Sequence, residues 1–350
     1  MKAAIIHEFG DFEVLKYEEV PTPEPRAGHV LVKVLAAGVN RLDHYLREGS
    51  VVPELQFPHI LGADAAGEVA TLGDGANGFE IGDRVVVVPG YPQSEEDYDI
   101  YPASQAPSFG LPGLHIPGTY AQYIEVPARY LLKDETGLKP EEVATLPVAL
   151  ATAVRAVKEV GGVKAGDKVL VQAGASGSGS MQIQVAKALG AEVATTIRNA
   201  SKADFVRQIG ADFVINTRNE DFVERVQEWA EGRGADVVID NLAGDVLPKS
   251  IEAAKPTGII VAFGFAAGPV VKFDIRSLFF AQKQLKGSMA SDKSDIEFGL
   301  KLLKEGKIGP VPDRTLSLRE AADAHRLIAN SAYQAARTSI LLHKDYVTQV

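Results

Sequence analysis

The stretch AGASGSGS has residue types and a spacing that could bind phosphate. It places Gly174, Gly177 and Gly179, with the hydroxyls of Ser176 and Ser178, between a strand-like and a helix-like apolar run. Glycine lets backbone N–H groups approach a pyrophosphate, and a helix N-terminus adds a partial positive charge. Because the spacing departs from G-x-G-x-x-G, the stretch alone fits a dinucleotide site and a plain glycine-rich turn equally well.

Positive charge at the end of the next predicted strand favours the dinucleotide site. An NAD-binding unit carries an acidic residue there, about 20 residues past the glycines, to bind the ribose hydroxyls. Here Arg198 and Asn199 take that place, and Lys202 follows. A guanidinium can bind a 2′-phosphate through two hydrogen bonds, so the sequence predicts NADPH as cofactor. The alternative is a solvated arginine at a helix entry.

The elements that must position these residues alternate between strand and helix from about residue 150. The predicted strands are KVLVQA, EVATTI, DFVIN, DVVIDN and GIIVAFGF. The predicted helices between them cover Met181–Leu189, Ser201–Ile209, Phe222–Glu231 and residues 247–255. Short apolar strands with intervening helices indicate a doubly wound parallel sheet, which binds ligands at the carboxyl ends of its strands.

The N-terminal part has a different pattern, with β-branched runs between Gly, Pro and Asp clusters. Predicted strands are Ala3–Ile6, Val30–Leu35, Glu68–Thr71 and Arg84–Val88. The C-terminal part adds helices at Asp295–Glu305 and 318–329 and a strand at Thr338–His343. We therefore predict an α/β protein with a β-rich domain over 1–149 and 290–350 and a cofactor domain over 150–289.

Composition excludes several classes of function. The net charge of −10 argues against a nucleic-acid surface or an anionic membrane as partner. The chain has no cysteine, which excludes disulfides, thiol catalysis and cysteine-ligated zinc. No apolar run is long enough to span a bilayer, and MKAAIIHEFG lacks a signal-peptide core, so a cytoplasmic location is expected.

Four stretches together resemble a known family. They are GHVLVKVLAAGVNRLDHYLREG, FPHILGADAAGEVATLGDGANGFEIGDRVVV, GTYAQYIEVP and GADVVIDNLAG. Their order and spacing resemble those of the medium-chain dehydrogenase/reductase superfamily over essentially the whole chain. The resemblance implies a GroES-like catalytic domain, a Rossmann cofactor domain, and a homodimer or homotetramer paired through the cofactor domain.

The glycine-rich stretch aligns without gaps to a variant phosphate loop of that superfamily, G-A-G-S-G-V-G-S. Gly177 and Gly179 match its glycines, whereas Ala173 and Ala175 stand where it has glycine. The alignment implies that Gly177 and Gly179 are the glycines that matter. Some distortion or weaker binding is expected at Ala173.

The zinc-ligand positions of the superfamily depart from its zinc-dependent alcohol dehydrogenases. Those enzymes hold catalytic zinc with Cys, a His–Glu pair and a second Cys, and the matching places here are Asn40, Ala63–Asp64 and Leu150. The segment that would carry structural zinc, 89–117, has no cysteine. His44 and His59 match no zinc spacing and are interpreted as surface or core residues, so no metal is predicted.

This departure changes the predicted reaction. Alcohol oxidation at neutral pH needs the pKa of the hydroxyl lowered, most directly by a Lewis acid. Zinc-free relatives instead deliver hydride to quinones, enones or enoyl thioesters, where hydrogen-bond donors stabilise the enolate. Enoyl-thioester reductases place a tyrosine near the position of Val51, and this chain has none there.

GVNRLDHY resembles the quinone-reductase pattern and supplies the catalytic candidates. The resemblance implies that Asn40 and Tyr45 line the nicotinamide end, that Tyr45 is the best proton donor, and that Asp43 anchors the loop. The alternative for Tyr45 is cleft lining without catalysis.

Further cofactor contacts are expected at Thr152, Asn241, Phe263, Gly264 and Phe265. Thr152 matches a nicotinamide-contacting threonine of the zinc-free members, and the other four end the fourth and fifth strands. Ordinary strand-end turns are the alternative at each position.

These observations predict a zinc-independent, NADPH-dependent reductase of quinones or α,β-unsaturated carbonyls that acts on a small molecule. One alternative is an alcohol dehydrogenase or carbonyl reductase of the same superfamily, and another is an enoyl-thioester reductase. A non-catalytic NADPH-binding protein is the alternative from a different class.

Overall fold

The computed structural model describes residues 1–52, 54–289, 292–330 and 337–342. The chain forms two compact units. The first comprises Met1–Val148 with the described parts of Ser291–Glu297 and Pro310–Val350, and the second comprises Ala149–Ala290 and Phe298–Gly309.

The strands of the described residues carry the labels β1 to β18 in chain order. They are β1 (Lys2–Ile6), β2 (Lys16–Glu19), β3 (His29–Val39), β4 (His59–Ile60), β5 (Asp64–Leu72), β6 (Arg84–Val87), β7 (Tyr91–Pro92), β8 (Phe109–Gly110), β9 (Tyr123–Pro127), β10 (Leu131–Lys133), β11 (Lys168–Val171), β12 (Glu192–Ile197), β13 (Phe213–Asn216), β14 (Ala235–Asp240), β15 (Ala254–Ala262), β16 (Gln284–Gly287), β17 (Pro312–Ser317) and β18 (Arg337–Leu341).

The helices are labelled in the same way. They are α1 (Arg41–Glu48), α2 (Pro140–Val143), α3 (Pro147–Val154), α4 (Gly177–Ala188), α5 (Ala203–Gln208), α6 (Phe222–Trp229), α7 (Val246–Ala253), α8 (Arg276–Phe279), α9 (Lys293–Lys304) and α10 (Ala321–Ala329).

The second unit is built on a six-stranded sheet in the order β13-β12-β11-β14-β15-β16, with every neighbouring pair parallel. Strand residues Leu170, Val238 and Ile260 are fully buried and share a core with Val226 of α6 and Ile251 of α7. Apolar strands covered by helices are what a doubly wound sheet requires. The predicted Rossmann architecture is confirmed.

The first unit is built on a largely antiparallel sheet in the order β10-β6-β5-β3-β18-β17, with β9 also paired to β3. The long strand β3 is central, because β5, β9 and β18 all pair with it. This is the predicted GroES-like, β-rich domain. The segment 89–117 includes the short β7–β8 pair. There Tyr91 is buried and stacks on Tyr130, with the ring centroids 5.2 Å apart.

Several boundaries differ from the sequence prediction, and contacts in the structure explain two of them. Helix α4 begins at Gly177 rather than Met181, because the Ser176 hydroxyl caps it by accepting a hydrogen bond from Gly179 N at 3.1 Å. Residues Phe298–Gly309, predicted to belong to the β-rich domain, fall in the second unit. There the Gln184 side chain donates to the Gly309 carbonyl and accepts from its N–H. His343, predicted in the last strand, lies outside the described residues.

Candidate active site

The glycine-rich loop joins β11 to α4 at the carboxyl edge of the parallel sheet. A Cβ atom on Gly174 would lie 2.0 Å from the Thr195 hydroxyl oxygen, and one on Gly179 would lie 2.4 Å from the Ala173 carbonyl oxygen. Both positions therefore exclude a side chain. Gly174 is required by packing as much as Gly179 is, whereas the sequence had singled out Gly177 and Gly179.

Ala173 adopts the left-handed backbone conformation, with φ of 52°. The related loop has glycine at this place, and a left-handed residue without glycine costs about 1–2 kcal/mol. The Thr196 hydroxyl accepts a hydrogen bond from Ala173 N at 2.9 Å, and Ser176 N donates to the Ala173 carbonyl. The alanine thus keeps the turn that the glycine would make, and the strain is local.

Asn241 follows β14 and lies beside the loop. Its amide nitrogen is 3.4 Å from the Ser176 hydroxyl and 3.5 Å from the Ser178 hydroxyl. Its side-chain oxygen is buried and has no hydrogen-bond partner within the described chain. A buried acceptor without a donor is costly, so this oxygen fits a ligand that brings a hydroxyl or amide.

Two arginines follow neighbouring strands at the carboxyl ends of the parallel sheet. Arg198 follows β12 and Arg218 follows β13, and the strands remain paired up to that point because Thr217 N donates to the Ile197 carbonyl at 2.9 Å. Both side chains are exposed, and neither has a hydrogen bond, ion pair or ring contact with any described residue. The other described arginines all have such a partner.

The sequence analysis named Arg198 and did not name Arg218, although both lie within two residues of the end of a strand. Asn199 is exposed and caps a short turn by accepting from Ser201 N, and Lys202 is half-buried. A dinucleotide phosphate fits the glycine turn, the start of the twelve-residue helix α4, the Asn241 oxygen and the two arginines at the strand ends.

The other predicted cofactor residues of the second unit are Thr152 in α3 and three residues that follow β15. Phe263 and Gly264 follow β15, and a Cβ on Gly264 would lie 2.6 Å from the Asn241 carbonyl oxygen. Phe265 is exposed, and Thr152 is half-buried in α3. Gly264 and Asn241 are therefore brought together by their neighbouring strands.

The first unit holds a buried polar cluster at Asn40. The Asn40 side chain donates from Nδ2 to Asp64 Oδ2 at 2.9 Å and accepts at Oδ1 from Arg337 Nη1 at 2.9 Å. Arg337 Nη2 donates to the same Asp64 oxygen at 2.7 Å. The other Asp64 oxygen accepts from Val148 N at 2.6 Å. Burial raises the pKa of the Asp64 carboxyl, against the opposing pull of the Arg337 guanidinium and the Asn40 amide.

Strand register brings these three residues together. Gly38 pairs with Asp64 between β3 and β5, and Thr338 pairs with Val39 between β18 and β3. Asn40 and Arg337 are the next residues along β3 and β18, so their side chains meet. A Cβ on Gly38 would lie 2.8 Å from Asp64 Oδ2, which makes glycine necessary beside the cluster.

Asp43 anchors the turn at the start of α1, as the sequence predicts. Its Oδ2 accepts from Asn40 N at 2.8 Å and from the Tyr120 hydroxyl at 2.9 Å. Burial raises the pKa of Asp43 to about 7, although both hydrogen bonds and Arg337 act to lower it. Tyr120 was missed by sequence reasoning, because 77 residues separate it from Asp43.

Tyr45, the predicted proton donor, lies on α1 and is half-buried, with its ring centroid 5.7 Å from that of His44. His44 and His59 are both buried, and burial lowers the pKa of each imidazole. Among the described residues, no group of three or more His, Cys, Asp or Glu side chains could hold a metal ion.

The zinc-ligand positions do not fit zinc. Ala63 and Leu150 offer no donor atom, and both side-chain atoms of Asn40 are already engaged. Asp64 could donate, but its oxygens hold a backbone N–H, an amide and a guanidinium. A guanidinium and a metal ion would compete for the same carboxylate.

Comparison with known proteins gives the family. Residues 26–141 match the family described as alcohol dehydrogenase GroES-like domain, and residues 177–305 match the family described as zinc-binding dehydrogenase. The chain is 32% identical to 2-haloacrylate reductase from a Burkholderia species, over 93% of this chain and 94% of that protein. It is 28% identical to quinone oxidoreductase from Pseudomonas aeruginosa, over 95% and 97%.

A solved structure agrees with this placement. The crystal structure of an NAD-dependent alcohol dehydrogenase is 33% identical and superimposes with a TM-score of 0.92, covering 98% of this chain and 100% of that one. The chain belongs to the medium-chain dehydrogenase/reductase superfamily and is an oxidoreductase of that superfamily. Within the described residues, no helix has the length and apolar character to cross a bilayer.

Proposed function

We propose that this protein is a zinc-independent, NADPH-dependent reductase that transfers hydride to quinones or α,β-unsaturated carbonyls. The observation that carries the proposal is the donor set at the zinc-ligand positions. Asn40 and Asp64 are joined by the Arg337 guanidinium, and Ala63 and Leu150 have no ligating atom. Such a set cannot supply the Lewis acid on which alcohol oxidation at neutral pH depends most directly.

Reduction of a conjugated carbonyl, unlike alcohol oxidation, does not need a Lewis acid from the protein. A bound reduced nicotinamide supplies the hydride, and the carbonyl oxygen of the acceptor takes up the negative charge. Oriented hydrogen-bond donors suffice to stabilise that enolate. Asn40 would line the nicotinamide end with its carboxamide held in place, and Tyr45 would donate the proton.

The two arginines that follow β12 and β13 support NADPH as the cofactor. Arg198 and Arg218 are exposed and lack acidic partners in the described chain, although the protein carries a net charge of −10. A 2′-phosphate would give both guanidinium groups a bidentate partner. Gly174, Gly179 and the start of α4 would hold the pyrophosphate.

Names of relatives point to the same class of acceptor. A 2-haloacrylate and a quinone both place a carbon–carbon double bond in conjugation with a carbonyl, and the proteins named for reducing them match nearly the whole chain. The cytoplasmic location and the homo-oligomer stay predictions.

The test is a screen of acceptors with the purified protein. We expect NADPH to be consumed with a quinone or an enone, more slowly with NADH, and not with a simple ketone. A chelator should leave the rate unchanged, because no step uses zinc. Asn40→Ala should lower the rate, whereas Asn77→Ala, at an exposed surface amide, should not.

Turnover of simple ketones or alcohols alone, with loss of the rate on chelation, would favour the alcohol dehydrogenase alternative. Tight NADPH binding with no turnover of any acceptor would favour a binding protein.

A further inference from the structure

Arg337 is the one described cation that contacts the Asn40 carboxamide, and its guanidinium spans two partners. Nη1 donates to Asn40 Oδ1 and Nη2 donates to Asp64 Oδ2, while Asn40 Nδ2 donates to that same Asp64 oxygen. The three side chains thus form a closed ring of hydrogen bonds. Asn40, Asp64 and Arg337 are respectively 5%, 0% and 7% exposed, so water does not compete for these contacts.

The ring allows only one orientation of the Asn40 amide. Turning the carboxamide over would place its NH₂ group against the guanidinium and its oxygen against the carboxylate. Both contacts would then be repulsive, in a buried site where unmatched polar groups are most costly. The orientation is set by two charges of opposite sign, and neither neighbour alone fixes both amide atoms.

We infer that Arg337 is a positioning residue of the reductase. Its guanidinium holds the Asn40 carboxamide in one orientation and is the counter-ion of the Asp64 carboxylate. The inference rests on the proposed function, because it takes Asn40 to line the nicotinamide end.

The chemistry of arginine explains why a lysine would not serve. A planar guanidinium presents parallel N–H groups that reach an amide oxygen and a carboxylate oxygen together, whereas an ammonium is a compact point charge. Arg337→Lys therefore keeps the charge beside Asp64 but loses the two-point contact. The variant separates the loss of orientation from the loss of charge.

The experiment measures turnover and binding in Arg337→Lys. We expect kcat to fall about tenfold or more, because a misplaced group near the reacting atoms costs rate steeply, while KM for the acceptor stays within about twofold. The dissociation constant of NADPH should rise, and that of adenosine 2′,5′-bisphosphate, which lacks the nicotinamide, should not. Arg326→Lys, in an exposed ion pair of the same unit, is the matched control and should change neither.

Two further variants distinguish a loss of positioning from a loss of stability. Arg337→Met leaves Asp64 buried without a counter-ion and is expected to unfold readily. Asp64→Asn combined with Arg337→Gln removes both charges, so its melting temperature should recover above that of Arg337→Met while kcat stays low. Recovery of kcat together with the melting temperature would overturn the inference, as would wild-type kcat in Arg337→Lys.

Failure of the proposed function would be visible separately. If the wild-type protein reduces no acceptor, the reductase is refuted, and the binding ratio of NADPH to adenosine 2′,5′-bisphosphate still decides whether Arg337 acts on the nicotinamide half. An unchanged ratio in Arg337→Lys contradicts the positioning role. Failure of the wild-type protein to bind either compound refutes both proposals.

Discussion

Asp43 is a buried carboxyl that anchors the start of α1 and makes the stability of the fold depend on pH. It fixes the start of α1 through Asn40 N and the Tyr120 hydroxyl. The charged groups that act on it are Asp64, which raises its pKa, and Arg337, which lowers it, yet burial dominates and brings the pKa to about 7. His325, also buried and 5.8 Å from the Tyr120 ring, adds no positive charge because burial lowers its pKa to about 3.

The pH dependence of stability should therefore carry a contribution from Asp43. Its pKa is higher in the folded protein than the usual 3.8, so the folded state binds the proton more tightly. The contribution of Asp43 to the free energy of unfolding is greatest below about pH 4. It falls by on the order of 4 kcal/mol as the pH rises through about 7. Asp43→Asn should flatten that fall.

Urea unfolding at several pH values between 4 and 8 measures this effect. Asp74→Asn, at an exposed aspartate, is the control and should keep the wild-type slope. Equal slopes in Asp43→Asn and the wild-type protein would contradict the assignment.

At the scale of elements, the candidate site residues lie at the ends of neighbouring strands. In the parallel sheet, β11, β12, β13 and β14 are followed by the glycine-rich loop, Arg198, Arg218 and Asn241, all at the carboxyl ends of the strands. In the other sheet, the ends of β3, β5 and β18 deliver Asn40, Asp64 and Arg337. Strand register brings the second set into direct contact.

The two arginine-bearing strand ends make a prediction about cofactor choice. Arg198→Ala and Arg218→Ala should each weaken NADPH binding, and the double variant should weaken it about tenfold or more, since charge-assisted hydrogen bonds to phosphate are lost. NADH binding should change little. Calorimetric titration with both nucleotides measures the effect.

Arg233→Ala is the control, because Arg233 is exposed on the same unit and lies after α6. Equal weakening of NADPH and NADH would contradict the 2′-phosphate role of the pair, and loss in Arg198→Ala alone would limit the site to one arginine.

At the scale of the whole molecule, the sheet of the second unit has β16 as one of its two edge strands. Exposed apolar side chains lie in β16 or near it along the chain: Phe279, Phe280, Leu285 and Met289 are 53%, 76%, 39% and 50% exposed. An edge strand with apolar neighbours pairs readily with another chain. A second copy of this strand, related by a two-fold axis, is the simplest partner.

We expect the wild-type protein to be a dimer or tetramer. The Leu285→Lys variant should form an assembly of lower molecular mass, because a lysine on the edge strand opposes strand pairing. Light scattering after gel filtration measures the mass. Ile81→Lys is the matched control, since Ile81 is 72% exposed in the other unit. A monomeric wild-type protein, or an unchanged mass in Leu285→Lys, would contradict the prediction.

Much of the fold follows from local sequence pattern. The four N-terminal strands predicted from β-branched runs correspond to β1, β3, β5 and β6, and the alternating elements from residue 150 correspond to β11 to β15 with their helices. The short strands β7 and β8 were not predicted, because a pair of two-residue strands carries no periodic signal. Helix ends shifted where a cap, such as Ser176, was not recognised.

The sequence by itself determined the superfamily, the glycine-rich turn and the residue types at the zinc-ligand positions, because each depends on residue types at short spacing. Only the tertiary structure decided which side chain contacts Asn40 and Asp64. Arg337 lies 297 residues from Asn40 along the chain, and the pairing of β18 with β3 brings them to 2.9 Å. Such a contact leaves no local pattern, since it depends on strand order and register, which long-range packing sets.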